Sequence, residues 1–447
     1  WFLVNAAFLT LYTVLTAFFI FKMYAHQFLA FRYVNLILTV VLIAVFVFAL
    51  TLLLLKKAKL LTTLLLVLFR LLSTAGIYLV QSTVDVAEKL NQTASYSEIE
   101  MSVVVPTGSS IQDISEVGQI QAPTNNDGEN IQALMTDLQT NKNVNLTPET
   151  VDSYQQAYEN LLAGSTQAMV LNSAYSSLLE LADAEYASKV RTLYTYKITK
   201  EVASPQADEQ TEVNKNPNVI NIYISGIDTY GSISTVSRSD VNIIMTINME
   251  THKVLLTTTP RDAYVQIPDG GADQYDKLTH AGIYGVETSM KTLENLYDVD
   301  IDYYARINFT SFMQLIDVLG GVEVQNDQAF TSGGYSYPAG TVSLNSEQAL
   351  RFVRERYSLQ GGDVERGRNQ QKVISAIINK LASVNSITNF TTIINSLQNS
   401  VQTNMPYDTM IQLANKQLSS GGSFAVTSQD VTGTGRSEEH TSELQSL

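Results

Sequence analysis

The chain has 447 residues, no cysteine, and a formal net charge of −15 from 28 Lys plus Arg against 43 Asp plus Glu. That excludes disulfides, zinc–thiolate sites and cysteine nucleophiles, and the acidic balance argues against a nucleic-acid binder. The length suggests two or three domains, and the hydrophobic share of 45% hides an asymmetry, because the N-terminal stretch up to Val80 is almost wholly apolar.

Trp1–Phe21, Tyr33–Leu55 and Leu60–Val80 are each long enough to cross a bilayer, at about 20 residues per span. Residues 1–81 therefore read as three transmembrane helices. The third carries Arg70 near its centre, where a charge usually faces a partner helix or a functional path; pairing within the small bundle is the simpler of the two. Lys56, Lys57 and Lys59 outnumber Lys22 and Arg32 in the preceding loop, which puts the second loop in the cytoplasm and everything after Gln81 outside. A single cleaved signal peptide does not fit three spans. The start on Trp1 inside an apolar run suggests a truncated N-terminus, and residues 436–447 read as a non-native tail.

Residues 82–98 are polar and non-periodic and read as a tether. Met101–Pro106 has the pattern of a strand. Helices are expected over Asn130–Thr140 and Pro148–Leu162, the second capped by Thr147. A strand at Gln167–Leu171, a helix over Ser173–Tyr186 and a strand at Thr192–Ile198 complete a small α/β accessory domain over 99–200. Residues 201–216 form a polar linker ending before Pro217. Strong strands then alternate with helices: Val219–Ser225, Ser239–Asn248, Lys253–Thr259 and Asp302–Asn308 as strands, and Gly285–Tyr297, Thr310–Leu319, Ser346–Val353 and Gln370–Leu381 as helices. Alternation of this kind predicts an α/β domain over 217–435, with a mixed β-sheet sandwiched by helices.

Three features carry chemistry. Asp228 ends a strand at Gly226-Ile227-Asp228, and Asp240 begins the next; together they could hold one Mg²⁺, a hard cation that takes oxygen ligands, or could each be a turn or cap residue. Arg261-Asp262 follows Pro260 at a strand end, pointing to the same edge if the strands are adjacent. Between Arg351 and Gln371 lie Arg351, Arg354, Arg356, Arg366 and Arg368. Arginine meets phosphate oxygens in bidentate fashion and stays charged, and Gly361-Gly362 would let the two groups converge; Glu355, Asp363 and Glu365 could instead neutralise them. The four histidines, His26, His252, His280 and His440, form no catalytic or zinc pattern. Arginines, carboxylates and a metal suit phosphoryl transfer, in which positioning and charge neutralisation supply most of the catalysis.

At these residues the chain resembles the LytR–CpsA–Psr family, and most closely its streptococcal capsule-linked CpsA-like members. The matching stretches are Gly226-Ile227-Asp228, Arg238-Ser239-Asp240, Pro260-Arg261-Asp262, Lys277 to Gly282, Arg351 to Arg356, and Asp363 to Arg366 with Gln370-Gln371. The resemblance implies a phosphotransferase that moves a polyprenyl-pyrophosphate-linked glycan, capsular polysaccharide above all, onto peptidoglycan at the outer face of a Gram-positive cell membrane. It implies Asp228 and Asp240 as ligands of Mg²⁺ (or Mn²⁺). It implies Arg238, Arg261, Arg354, Arg356, Arg366 and Gln370 on the pyrophosphate, Lys277 more weakly, and Asp240, Arg261 and Arg366 as catalytic. Capsule-assembly proteins would be further partners. Many relatives carry arginine just before the paired glutamines; here that residue is Asn369, with Arg368 as the nearest replacement. The same residues would serve a hydrolase of the lipid pyrophosphate, or a non-catalytic lipid-glycan-binding regulator of capsule assembly.

Overall fold

The computed structural model describes residues 1–92, 96–176, 179, 183, 185–201, 218–230, 233, 235–271, 273–381, 401–420, 424–431 and 433–434. The expected tail over 436–447 lies outside these residues, as does the linker except for Glu201, which ends a strand.

Helices Phe2–Ala25, Val34–Leu54 and Lys59–Gln92 come first. Three helical segments, Phe2–Ala25, Phe31–Leu54 and Lys59–Asp85, are long and apolar enough to cross a membrane. Gly76 lets the first and third helices touch, since a Cβ there would sit 2.5 Å from the Phe19 ring. Arg70 stays inside the bundle with its guanidinium 5.3 Å from the centre of the Phe8 ring, an arrangement in which the ring face offsets its charge. The third helix does not stop at Val80. Val80 and Val84 lie one turn apart and are both buried against Phe19 and Met23, so apolar spacing carries the helix through a stretch of otherwise polar residues. The expected tether over 82–98 is thus helical up to Gln92.

The next module is built on β1 (Tyr96–Pro106), β2 (Ile120–Ala122), β3 (Glu149–Thr150), β4 (Ala168–Asn172) and β5 (Val190–Glu201), in the sheet order β3-β2-β4-β1-β5. Val103 and Val105 on one face pack with Leu134 and Leu138 of the helical stretch after Asp127. Val104, between them, joins Tyr158 and Leu161 on the other face, the alternation a strand imposes. The helix expected from Pro148 begins only at Tyr154. Ser153, not Thr147, is its cap, its hydroxyl accepting from the Gln156 N–H at 3.1 Å, because Glu149–Thr150 is held as β3 alongside β2. The helix expected over Ser173–Tyr186 lies partly outside the described residues and opens as a 3₁₀ turn at Ser173–Tyr175.

The larger module has a six-stranded mixed sheet. Its strands are β6 (Val219–Ile227), β7 (Ser239–Asn248) and β8 (Lys253–Thr258), then, past the hairpin of β9 (Tyr264–Ile267) with β10 (Gln274–Lys277), β11 (Tyr303–Ile307). Strands β12 (Val322–Asn326), β13 (Phe330–Ser332), β14 (Tyr335–Tyr337) and β15 (Gly340–Leu344) form two small antiparallel pairs, and β16 (Val401–Thr403) and β17 (Ala425–Asp430) close the edges of the main sheet, whose order is β16-β11-β6-β7-β8-β17. Two neighbours on β7 show the sandwich. Ile244 packs toward Leu293 of the Val286–Tyr297 helix, while Ile243 faces Ile374 and Ile378 of the Gly362–Leu381 helix. Burying such side chains contributes roughly 1.5–3 kcal/mol each. The Gly362–Leu381 helix starts eight residues before the expected Gln370, with Gly362 at φ +54, a left-handed value that suits glycine.

Candidate functional site

Strands β6 and β7 pair in antiparallel register until Gly226 meets Val241; then Ile227 meets Ser239, and Asp240 is left over as a bulge. A bulge turns its extra residue out of the ladder, which aims Asp240 into the space beyond the strand end. Gly226 permits the close approach, because a Cβ there would lie 2.7 Å from Val241 Cγ2. Under the bulge, the Ser225 and Ser239 hydroxyls lie 2.9 Å apart and the Tyr223 hydroxyl donates to Asn242 Oδ1 at 2.7 Å, so the strand ends rest on a fully buried polar network. Arg238, just before β7, is held from behind by the Lys277–Gly282 motif. A Cβ on Gly282 would come within 2.6 Å of both Ser237 O and Ser239 N, so only glycine lets that backbone pass.

Into the same space come the arginines. Arg261 Nη1 donates to both Asp240 oxygens at 3.1 Å, and the Thr279 hydroxyl donates to Asp240 Oδ1 at 3.2 Å. Arg354, on the last turn of Ser346–Arg354, lies 4.3 Å above the centre of the Phe309 ring and 3.7 Å from Asp228 Oδ1. Arg366 is paired with Asp363 at 2.6 Å and is buried. Gln370 Nε2 donates to Val353 O at 3.3 Å, fastening the two helices that carry the arginines. A cavity of about 340 Å³ is lined by the charged and polar residues Asp228, Arg238, Asp240, Arg261, Arg354, Arg356, Arg366 and Gln370 and by the apolar residues Ile224, Ile307, Phe312, Leu350 and Ile374.

The electrostatics oppose an empty pocket. Burial, then Asp240, pushes the Asp228 carboxyl above its ordinary value against the pull of Arg354, Arg238 and Arg261. Burial also works against the charge on Arg261, but Asp240 and Asp262 outweigh it and hold that pKa above its ordinary value. Arg366 is lowered, first by burial and then by Arg261 and Arg356 despite Asp363. Five guanidinium groups against two carboxylates line the cavity, a local charge of plus three in a protein of net −15. Arg238 Nε and Arg261 Nε are buried without a hydrogen-bond partner. Such a lack costs about 1–3 kcal/mol per group, a cost that an acceptor at this end of the strands would relieve.

A family model described as LytR_cpsA_psr family matches residues 188–446, more than half of the chain. The chain belongs to the LytR–CpsA–Psr family. It is 36% identical over 238 residues to the polyisoprenyl-teichoic acid–peptidoglycan teichoic acid transferase TagU of Oceanobacillus iheyensis, covering 51% of this chain and 72% of that one. It is 34% identical over 235 residues to the protein of the same name from Enterococcus faecalis, covering 52% and 76%. The crystal structure of Bacillus subtilis TagU is similar at 31% identity and a TM-score of 0.40, over 51% of this chain and 94% of that one. A second model, described as DNA polymerase processivity factor, matches residues 56–171, less than half of the chain.

In this LytR–CpsA–Psr chain the cavity collects every expected site residue except Lys277, which ends β10 and is not among the lining residues. Two arginines of the clustered five also stay away. Arg351 is exposed beside Gly333. Arg368 is committed to Glu365 at 3.1 Å and Asp430 at 2.8 Å, so it does not replace the arginine that relatives carry at Asn369. Asn369 itself is buried and accepts from Lys372 Nζ at 3.2 Å.

Two contributors escaped the sequence reading. Tyr357 lines the cavity and is exposed; Arg356 stacks on its ring at 4.6 Å and donates to its hydroxyl, which holds the phenol below its ordinary pKa. Arg306 is wholly buried, with its pKa pulled down to about 10 by that burial. Its guanidinium donates to Ile233 O, Thr235 O and Gln402 Oε1, pinning the segment that leads to Arg238. No pattern marks either one, since a lone arginine inside an apolar strand and a tyrosine in a polar loop are both ordinary.

Proposed function

We propose that this chain transfers a glycan from a polyprenyl-pyrophosphate carrier to peptidoglycan, with capsular polysaccharide as the polymer. The observation that carries the reading is one cavity lined both by net positive, partly unpartnered arginines and by apolar side chains. A pyrophosphate suits the first and a prenyl chain the second. Arg238, Arg261, Arg354, Arg356 and Arg366 bind and orient the two phosphates, and Gln370 holds together the helices that carry two of them, Arg354 and Arg366. A sugar hydroxyl of the wall attacks the glycan-side phosphorus. Its oxygen forms the new P–O bond as the bond from that phosphorus to the bridging oxygen breaks, and polyprenyl phosphate leaves with the electron pair. The hydroxyl proton passes to the strand-end carboxylates. The arginines neutralise charge growing on the leaving phosphate, which is where most of the rate enhancement in such reactions arises.

The donor set suits a Mg²⁺ ion. Asp240 stands close enough to raise the cost of ionising Asp228, and Mg²⁺ characteristically uses one or two carboxylates with substrate phosphates completing its shell. Bound there, the ion would neutralise phosphate oxygens. The three apolar helices support an anchored protein working at the outer face of a cell membrane.

The test uses the purified full chain in detergent with a short-chain prenyl-pyrophosphoryl oligosaccharide, Mg²⁺ and peptidoglycan fragments, read by mass spectrometry. Prenyl monophosphate together with glycan joined to the acceptor is the expected result. Prenyl monophosphate with free phospho-glycan would make the chain a hydrolase, and binding without turnover would make it a lipid-glycan binder.

A further inference from the structure

A second cavity, of about 290 Å³, lies where the accessory module meets the larger one. One wall is the start of the helix Gly128–Asp137, the other is Ile283 and Tyr284, which follow the glycine that packs on Arg238. Junctions between modules are where ligand cavities are commonly found.

Its polar groups are arranged but incomplete. The first N–H groups of a helix have no intrahelical partner, and Asp127, the residue before this one, does not cap it with its side chain. Asp127 also lines the cavity, and its carboxylate instead accepts from Asn130 Nδ2 at 2.5 Å, Tyr154 Oη at 2.6 Å and Asn172 Nδ2 at 2.8 Å. Asn130 is 8% exposed and lines the cavity, and with its Nδ2 fixed on Asp127 its Oδ1 is left buried with no hydrogen-bond partner. A buried orphan acceptor in an otherwise satisfied network calls for an explanation, and a missing donor from a ligand is one. Tyr175 and Tyr284, hydrogen-bonded to one another, bring two aromatic rings to the same cavity.

Backbone N–H donors, one orphan amide acceptor and two tyrosine rings within one small volume match a particular group. A secondary amide offers a carbonyl to the helix N–H groups and an N–H to Asn130 Oδ1, and a sugar ring presents C–H faces to aromatic rings. We propose that this cavity is a glycan subsite that takes one N-acetylated sugar unit. The proposal rests on the transferase reading for its purpose. Val236 lines this cavity and Arg238 the other, so a sugar held here sits one chain segment away from the phosphate site.

The experiment measures binding of an N-acetylglucosamine disaccharide, and of its de-N-acetylated counterpart, to the full chain in detergent by titration calorimetry. Asn130→Ala should weaken the acetylated sugar about tenfold, the loss of one hydrogen bond with an otherwise buried partner. Gly128→Phe should abolish it: a Cβ at that position meets nothing within 4 Å, so the ring has room to enter the cavity without disturbing the fold. Prenyl-pyrophosphate binding should stay at the wild-type level in both variants. Competition by a peptidoglycan fragment would assign the subsite to the acceptor, and competition by glycan released from the carrier would assign it to the donor. No binding to the wild type, equal binding of the de-N-acetylated sugar, or undiminished binding in both variants would overturn the subsite. If prenyl pyrophosphate fails to bind while the sugar binds, the transferase reading falls and the subsite stands.

Discussion

The two soluble modules use the same materials differently. Both are mixed sheets flanked by helices, and both bring charged groups together. In the smaller one the charges are satisfied at home: Asp183 accepts from Tyr158 at 2.7 Å and from Lys189 at 2.6 Å, and Asp137 accepts from Tyr194. In the larger one Arg238, Arg261 and Arg366 crowd together, with N–H groups of the first two left unpaired and the pKa of the third lowered by burial. Paired charges hold a fold; guanidinium groups crowded together with N–H groups still unpartnered weaken it, even where Arg261 meets Asp240 and Arg366 meets Asp363, and are retained where a ligand completes them. The comparison separates a scaffold from a site without reference to any relative.

The sharpest way to break the comparison is to remove charge from each module. Arg261→Ala and Arg366→Ala should each lower prenyl phosphate release by about 10²–10³-fold, as loss of a group facing developing charge does, with melting temperature little changed. Normal turnover by both would sink the site. Gly282→Ala should cost about 1–3 kcal/mol through overpacking against the Arg238 backbone, and a urea titration alongside lipid binding should show both weakened together. Asp228→Asn tests the strand-end carboxylates by differential scanning fluorimetry. Because burial and Asp240 raise its folded pKa, the ionised carboxyl destabilises the metal-free protein as pH rises through that value. The variant should therefore melt higher than wild type at pH 7 without Mg²⁺ and gain less on its addition. The smallest effect belongs to Asp183, whose pKa Lys189 and Tyr158 depress below 3.8. Its contribution is present above the unfolded pKa and fades as pH falls through the folded one. A melting series from about pH 5 down to pH 3 should show an acid-side loss in wild type that Asp183→Asn lacks.

Much of this was legible beforehand because it is periodic or repeated. The alternation along β6, β7 and β8 placed those strands to within two residues at each end, and Asp228 and Asp240 followed from the strand ends. What escaped was phase. Arg366 and Arg368 look equivalent in sequence, but they are two residues apart on one helix and so lie roughly 200° apart around it. One faces the cavity while the other meets Asp430. Starting that helix at Gln370, as Gly361-Gly362 suggested, removed the phase that would have told them apart. The bulge at Asp240 and the role of Gly282 were hidden for another reason: both depend on which backbone passes close by, a relation between segments distant in the chain.

The third helix has one more implication. At 1.5 Å per residue its 34 residues run for about 50 Å, against a hydrocarbon layer of about 30 Å, so in the anchored arrangement proposed above it would stand proud of the bilayer as a stiff stalk. The loop ahead of the second helix is tied to the far end of the chain as well, with Asn415 Nδ2 donating to Gln27 O at 2.9 Å and Arg32 Nε to Ser419 O at 3.4 Å. Stalk and tie together fix an altitude. Under the function proposed above, a protein held at one height would sample a sheet of substrate rather than a volume, so its encounter rate would follow the number of carrier lipids per unit of membrane area. Lengthening the stalk by a turn or two would then act as a change of altitude, lifting the cavity off the plane in which its lipid travels.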